Sequence, residues 1–177
     1  SVNKANPKKI EKKIFITCML ATTAALNNIV EFHSQMNANL RNKILNSLAR
    51  LLAENKSVIV AANKLDVAAC PPDDAVILDR LKVNEAKVES MIASVESVVA
   101  SPDLVGKVIS SNIREDGLRI ENRQVPFGTI LIIYEARPDV SVEAAIIALK
   151  AGNRILLKGG KEARHTNIFL ADLWKQA

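Results

Sequence analysis

Residues 128–162 read GTILIIYEARPDVSVEAAIIALKAGNRILLKGGKE, and the fold is decided here. Gly128 to Tyr134 is a continuous apolar run, the pattern of a strand buried on both faces. Ser141 to Lys150 is short and Ala-rich, with Val142, Ala145, Ile146 and Leu149 at helical spacing, and Gly152-Asn153 supplies a stop. Arg154 to Leu157 forms a second apolar strand, Gly159-Gly160 a turn, and Glu162 to Trp174 a second helix. Strand, helix, strand and helix joined by short connections require parallel strands.

The flanking sequence is organised differently. Leu40, Ile44, Leu48, Leu51 and Leu52 recur at helical spacing, as do Val88, Met91, Ile92, Val95, Val98 and Val99. A short helix is expected over Ser57 to Ala69, with Ser57 as its N-cap, before the break at Pro71-Pro72. Asn84 is the expected cap of the next helix, with Glu85 at the positive end of the dipole. Between Gly106 and Arg123 the period shortens to two around Asp116-Gly117, which predicts a β-hairpin whose turn residues both take positive φ. A two-stranded ribbon is not stable alone, so this one must lie on the body or pair with another chain.

The chain has 177 residues, of which 49% are hydrophobic and 24% charged, a composition that excludes a disordered chain and fits one globular domain. Aromatics are only 3%, so the core must be built from Ala, Val, Ile and Leu. The formal charge of +5 is compatible with anionic partners, and five lysines among Ser1 to Lys13 contribute much of it. No nucleic-acid-binding motif is recognisable. Lysines followed by Ile14 to Ala21 imitate a signal peptide, but Thr17, Thr22 and Thr23 interrupt the run and a helix continues through Leu26, Ile29, Val30 and His33. No run reaches the roughly 18 apolar residues of a membrane span. Cys18 and Cys70 form no CxxC and no metal site, and are expected as free thiols of a cytoplasmic protein. His33 and His165 read as lone surface residues, and no triad or carboxylate pair is visible.

Ligands of open parallel sheets bind beyond the carboxyl ends of the strands. Two clusters occupy such ends: Tyr134 to Asp139, and Lys158-Gly159-Gly160-Lys161. In the second, two lysines flank two glycines ahead of a helix whose first N–H groups are unpaired, an arrangement suited to an anion, although such a sequence taken in isolation is more often a solvated turn. It is neither a P-loop nor a GxGxxG fingerprint. Arg137 either caps local carbonyls, pairs with Glu135 or Asp139 at the surface, or recognises a carboxylate or phosphate with its guanidinium fork.

Val125-Pro126-Phe127-Gly128, Tyr134-Glu135-Ala136-Arg137-Pro138-Asp139-Val140, Ala151-Gly152-Asn153 and Leu157-Lys158-Gly159-Gly160-Lys161-Glu162 together resemble the gamma-glutamyl phosphate reductase family of the aldehyde dehydrogenase superfamily. Ala62-Asn63-Lys64-Leu65-Asp66, Leu78-Asp79-Arg80-Leu81 and Asp103 to Val108 extend the resemblance, which covers roughly Leu40 to Ala177. It implies an α/β fold: a helical N-terminal region, a protruding β-hairpin, then a Rossmann-like parallel β-α-β-α unit. Residues 36–105 and 124–177 would be the first part of an NADP-binding domain, 106–123 the hairpin of an oligomerisation arm, and 1–35 a poorly matching segment. The implied reaction is NADPH-dependent reduction of L-glutamate 5-phosphate to glutamate 5-semialdehyde in proline biosynthesis, through a cysteine thioester. Lys158, Gly159, Gly160 and Lys161 would bind the coenzyme, Lys161 meeting the 2′-phosphate where NAD-using relatives carry Glu. Arg137 would orient the acyl phosphate or the glutamyl carboxylate. The implied partners are the small-molecule substrate and further copies of the chain, with no nucleic acid and no membrane. Neither cysteine matches the nucleophile, so the chain is expected to be an amino-terminal piece, inactive by itself and without a catalytic residue or metal. The rival readings are another acylating aldehyde dehydrogenase relative and a non-catalytic basic helical binding module.

Overall fold

The computed structural model describes residues 17–18, 36–71 and 73–177. The helix read across Ile14 to His33 lies outside the described residues except at Thr17–Cys18, which are extended as strand β1. Four helices follow: α1 (Ala38–Glu54), α2 (Lys56–Ala69), α3 (Ala75–Leu81) and α4 (Glu85–Ala100). Strands β2 (Val108–Ile113) and β3 (Arg119–Arg123) pair antiparallel. The remainder is β4 (Thr129–Ile133), α5 (Val140–Lys150), β5 (Arg154–Lys158), a 3-10 turn (Lys161–Ala163) and α6 (Arg164–Gln176).

The expected alternation is present. β4 and β5 pair in parallel from Thr129 opposite Arg154 to Ile133 opposite Lys158, and β1 extends the sheet in the order β1-β5-β4. Register decides which side is covered. Ile130 lies opposite Ile155 and Ile132 opposite Leu157, and this face meets the helices. The other face carries Leu131 and Ile133, 55% and 66% exposed. The expectation of a strand buried on both faces therefore fails among the described residues: every helix that reaches β4 packs on one side of it.

The core joins the two halves of the chain. Leu45, Leu48 and Leu52 of α1, Ile59 of α2 and Met91 and Val95 of α4 are buried with Val142, Ile146, Leu170 and Trp174. Trp174, the single Trp, is 1% exposed, and its Nε1–H donates to the Ser141 carbonyl at 3.3 Å, so the largest side chain is buried with its polar edge satisfied.

Local chemistry sets the element ends. Asn37 and Asn84 cap α1 and α4 by accepting from the N–H groups of Leu40 and Lys87, both at 2.8 Å. Ser57 is not a cap, because α2 begins one residue before it, at Lys56. Gly152 has φ of +75°, and a Cβ there would stand 3.0 Å from Pro126 Cγ. Asn153 Oδ1 accepts from Gly128 N–H at 3.0 Å, tying the start of β4 to the end of α5.

The hairpin forms with a different turn from the one expected. Only Gly117 takes positive φ, at +85°. Gly117 N–H donates to Arg114 O at 2.9 Å and Asp116 Oδ1 accepts from Leu118 N–H at 3.1 Å, giving a three-residue loop that needs one left-handed residue rather than two. Ile109, Ile113 and Ile120 are more than half exposed, so the ribbon stands off the body. Buried Arg41 steadies its base, donating from Nη2 to Asp103 Oδ2 at 2.5 Å.

Trp174→Ala should lower unfolding free energy by about 3–5 kcal/mol, measured by urea denaturation, with Trp174→Phe costing less. A loss below about 1 kcal/mol would mean that Trp174 is not the keystone of this core.

Candidate functional site

Tyr134 N–H donates to Lys158 O at 3.0 Å, so the chain leaves β4 and β5 side by side and both clusters emerge at one end of the sheet. After β5, the glycine turn is pinned from two directions. A Cβ on Gly159 would lie 2.3 Å from Asn167 Nδ2 and 3.1 Å from the Tyr134 hydroxyl. These two groups hold each other, Tyr134 Oη donating to Asn167 Oδ1 at 3.3 Å. Gly160 is different: the neighbouring atom is Glu162 Oε2, the free end of a side chain folded back over the turn. That oxygen is buried with no hydrogen-bond partner. Lys158 and Lys161 flank the turn, exposed and without an ion pair among the described residues.

The helix behind the turn is not available to an anion in the way expected. Asp66, buried on α2, occupies the first turn of α6. Its Oδ1 accepts from His165 N–H and its Oδ2 from Thr166 N–H, both at 2.8 Å, and Thr166 Oγ1–H donates at 2.6 Å. A carboxylate from 100 residues away thus satisfies the dipole end that a bound phosphate would have used. His165 is correspondingly no lone residue, its Nδ1 lying 2.7 Å from Asp66 Oδ1. Three residues before Asp66 and on the same helix face, Asn63 accepts from Val83 N–H at 2.7 Å and donates to Leu81 O at 2.8 Å.

After β4, Ala136 is buried with φ of +47°, the one non-glycine residue in the left-handed region among those described. The next residue, Arg137, is exposed and lines a cleft of about 470 Å³ with Arg80, Lys82 and Lys87. Neither Lys158 nor Lys161 lines this cleft. Arg80 and Lys82 escaped the sequence reading, although Arg80 lies inside the Leu-Asp-Arg-Leu motif.

Cys70 ends α2, and its thiol is pushed up by burial and then by the carboxylates of Asp74, Glu162 and Asp73. It is the reverse of an activated thiol. No group of three or more metal-ligating side chains occurs among the described residues, and no described helix is long and apolar enough to cross a membrane.

Fold and site together define an α/β protein with cationic loops at the carboxyl ends of a parallel sheet. Comparison with known proteins specifies it further, although no protein-family model matches. Gamma-glutamyl phosphate reductase of Hydrogenobaculum sp. is 41% identical over 146 residues, 81% of this chain and 33% of that protein. The Thermotoga petrophila enzyme of the same name is 45% identical over 129 residues, 72% and 31% of the two chains. The crystal structure of the Thermotoga maritima reductase superposes with a TM-score of 0.75 at 40% identity, over 80% of this chain and 34% of that one. The Saccharomyces cerevisiae reductase gives 0.73 at 32%, over 78% and 36%. The chain is a homologue of the gamma-glutamyl phosphate reductases across some four fifths of its own length, and it spans about a third of the length of the curated relatives it matches.

Asp66→Ala should destabilise the chain by about 2–3 kcal/mol, because it strands two buried N–H groups and a hydroxyl; thermal or urea melts check this. A raised pKa leaves less thiolate at any pH below it, so Cys70 should be alkylated by iodoacetamide more slowly at neutral pH than a free cysteine peptide. Asp74→Asn should speed the reaction, and an unchanged rate would show that this carboxylate does not act on the thiol.

Proposed function

We propose that this chain supplies the coenzyme-binding side of an NADPH-dependent reductase that converts L-glutamate 5-phosphate to glutamate 5-semialdehyde in proline biosynthesis. The observation that carries the reading is identity of about 40% with reductases of that name over some four fifths of this chain.

The residues after β5 fit the coenzyme by their donor set. Two free ammonium groups flank a turn covered at Gly160 by the Glu162 side chain, and the unpartnered Glu162 Oε2 is an acceptor that a hydroxyl could meet. Lys158 would donate to the adenosine ribose, Lys161 would neutralise the 2′-phosphate, and Glu162 would accept from a ribose hydroxyl. When bound, the nicotinamide supplies hydride. With Asp66 closing α6, discrimination for the 2′-phosphate rests on Lys161 rather than on helix N–H groups. Arg137, at the end of the neighbouring strand, would hold the substrate's anionic end. Cys70 is not assigned the nucleophile's part, since burial and then the neighbouring carboxylates hold its thiol above the ordinary range. The exposed apolar side chains of the hairpin would meet another copy of the chain, as in an oligomerisation arm.

Titration of the intact protein with NADPH and NADH tests the coenzyme site. Lys161→Glu should weaken NADPH binding at least tenfold while changing NADH binding little, and Lys158→Ala should weaken both. Unchanged NADPH affinity in the double variant would remove the assignment.

A further inference from the structure

The cleft beside β4 carries more positive charge than the fold requires. Its cations are Arg80 at the end of α3, Lys82 after it, Lys87 in the first turn of α4, and Arg137; its carboxylates are Asp79 and Asp139. Asp139 is committed to Lys87, with Nζ and Oδ2 2.6 Å apart. Arg80, Lys82 and Arg137 make no ion pair among the described residues, so three cations share one cleft with the single carboxylate of Asp79. Like charges gathered this way repel one another and stabilise nothing in the absence of an anion. Ala136 adds a second observation. A buried alanine held at φ of +47° costs about 1–3 kcal/mol, and such strain persists where the surroundings enforce it. It falls immediately before Arg137, which lines the cleft.

We infer that this cleft binds the phosphoryl group of the acyl phosphate substrate, with Arg80 and Lys82 as binding residues beside Arg137. The identity of the substrate rests on the reading in the preceding subsection. Four cations against two carboxylates leave an excess of two positive charges, which matches a phosphoryl group of about −1.5 to −2 and over-matches a carboxylate. Two guanidinium forks and an ammonium suit oxygens arranged tetrahedrally, which a planar carboxylate does not offer. The coenzyme's 2′-phosphate is met elsewhere, at the end of β5, where neither lysine reaches this cleft.

Calorimetric titration of the intact protein distinguishes the two anions. One probe is a phosphonate analogue of L-glutamate 5-phosphate, its bridging oxygen replaced by methylene; the other is adenosine 2′,5′-bisphosphate. In Arg80→Gln/Lys82→Gln the analogue should bind at least tenfold more weakly and the bisphosphate within twofold of wild type, with an unchanged melt because both side chains are exposed. Arg80→Lys should recover part of the loss. Unchanged affinity for the analogue, no binding of it by the wild type, or a tenfold loss for the bisphosphate would each overturn the inference. A wild type that ignores the bisphosphate but shows the analogue effect would support the cleft and refute the coenzyme site.

Discussion

A single buried carboxylate holds this arrangement together. Asp66 reaches from α2 into the first turn of α6 and accepts from two N–H groups and a hydroxyl there. Removing a carboxylate from water is costly, and only a full set of donors offsets it. The exchange is possible only when α2 and α6 meet in one orientation, so it fixes the helical half against the parallel unit. Asn63, one turn earlier, extends the constraint to Leu81 and Val83 and so places the α3–α4 connection where Arg80 and Lys82 can approach the end of β4. Positioning of the charged cleft is in this sense a consequence of two polar side chains buried on one helix face.

The motifs that carry the resemblance to the reductases divide by their place on the sheet. Pro126 to Gly128 and Gly152-Asn153 meet where the strands begin, packing ring against backbone and amide against N–H. They are construction. Residues 134–139 and 158–162 lie where the strands end, and there the unpaired cations gather. Two adjacent strand ends bearing separate positive clusters can accept two anionic ligands next to each other.

Much of the fold was legible because local patterns dominate it. Apolar runs marked β4 and β5, helical spacing marked α1 and α4, and Asn84 announced its cap. What escaped depends on distance along the chain or on brevity. α3 has seven residues, too few for a period to show. Asp66 was legible only as part of the Ala62 to Asp66 motif, and its structural role was not, because its partners lie about 100 residues onward. For the same reason the start of α6 read as an open anion site when it was already filled. Arg80 and Lys82 stand next to Arg137 only after the helices have packed, and no spacing rule joins them.

Gly159 has a consequence for how this sequence can change over time. Its missing side chain leaves the space taken by Asn167 and by the Tyr134 hydroxyl, which also hold each other. Enlarging the glycine alone would force a clash, while shrinking the asparagine alone would open a void and remove the acceptor that the Tyr134 hydroxyl uses there. The three positions, scattered over two turns of chain and a helix, are therefore coupled: a change at one is tolerated best after a compensating change at another, and the route between two workable combinations passes through a poorer intermediate.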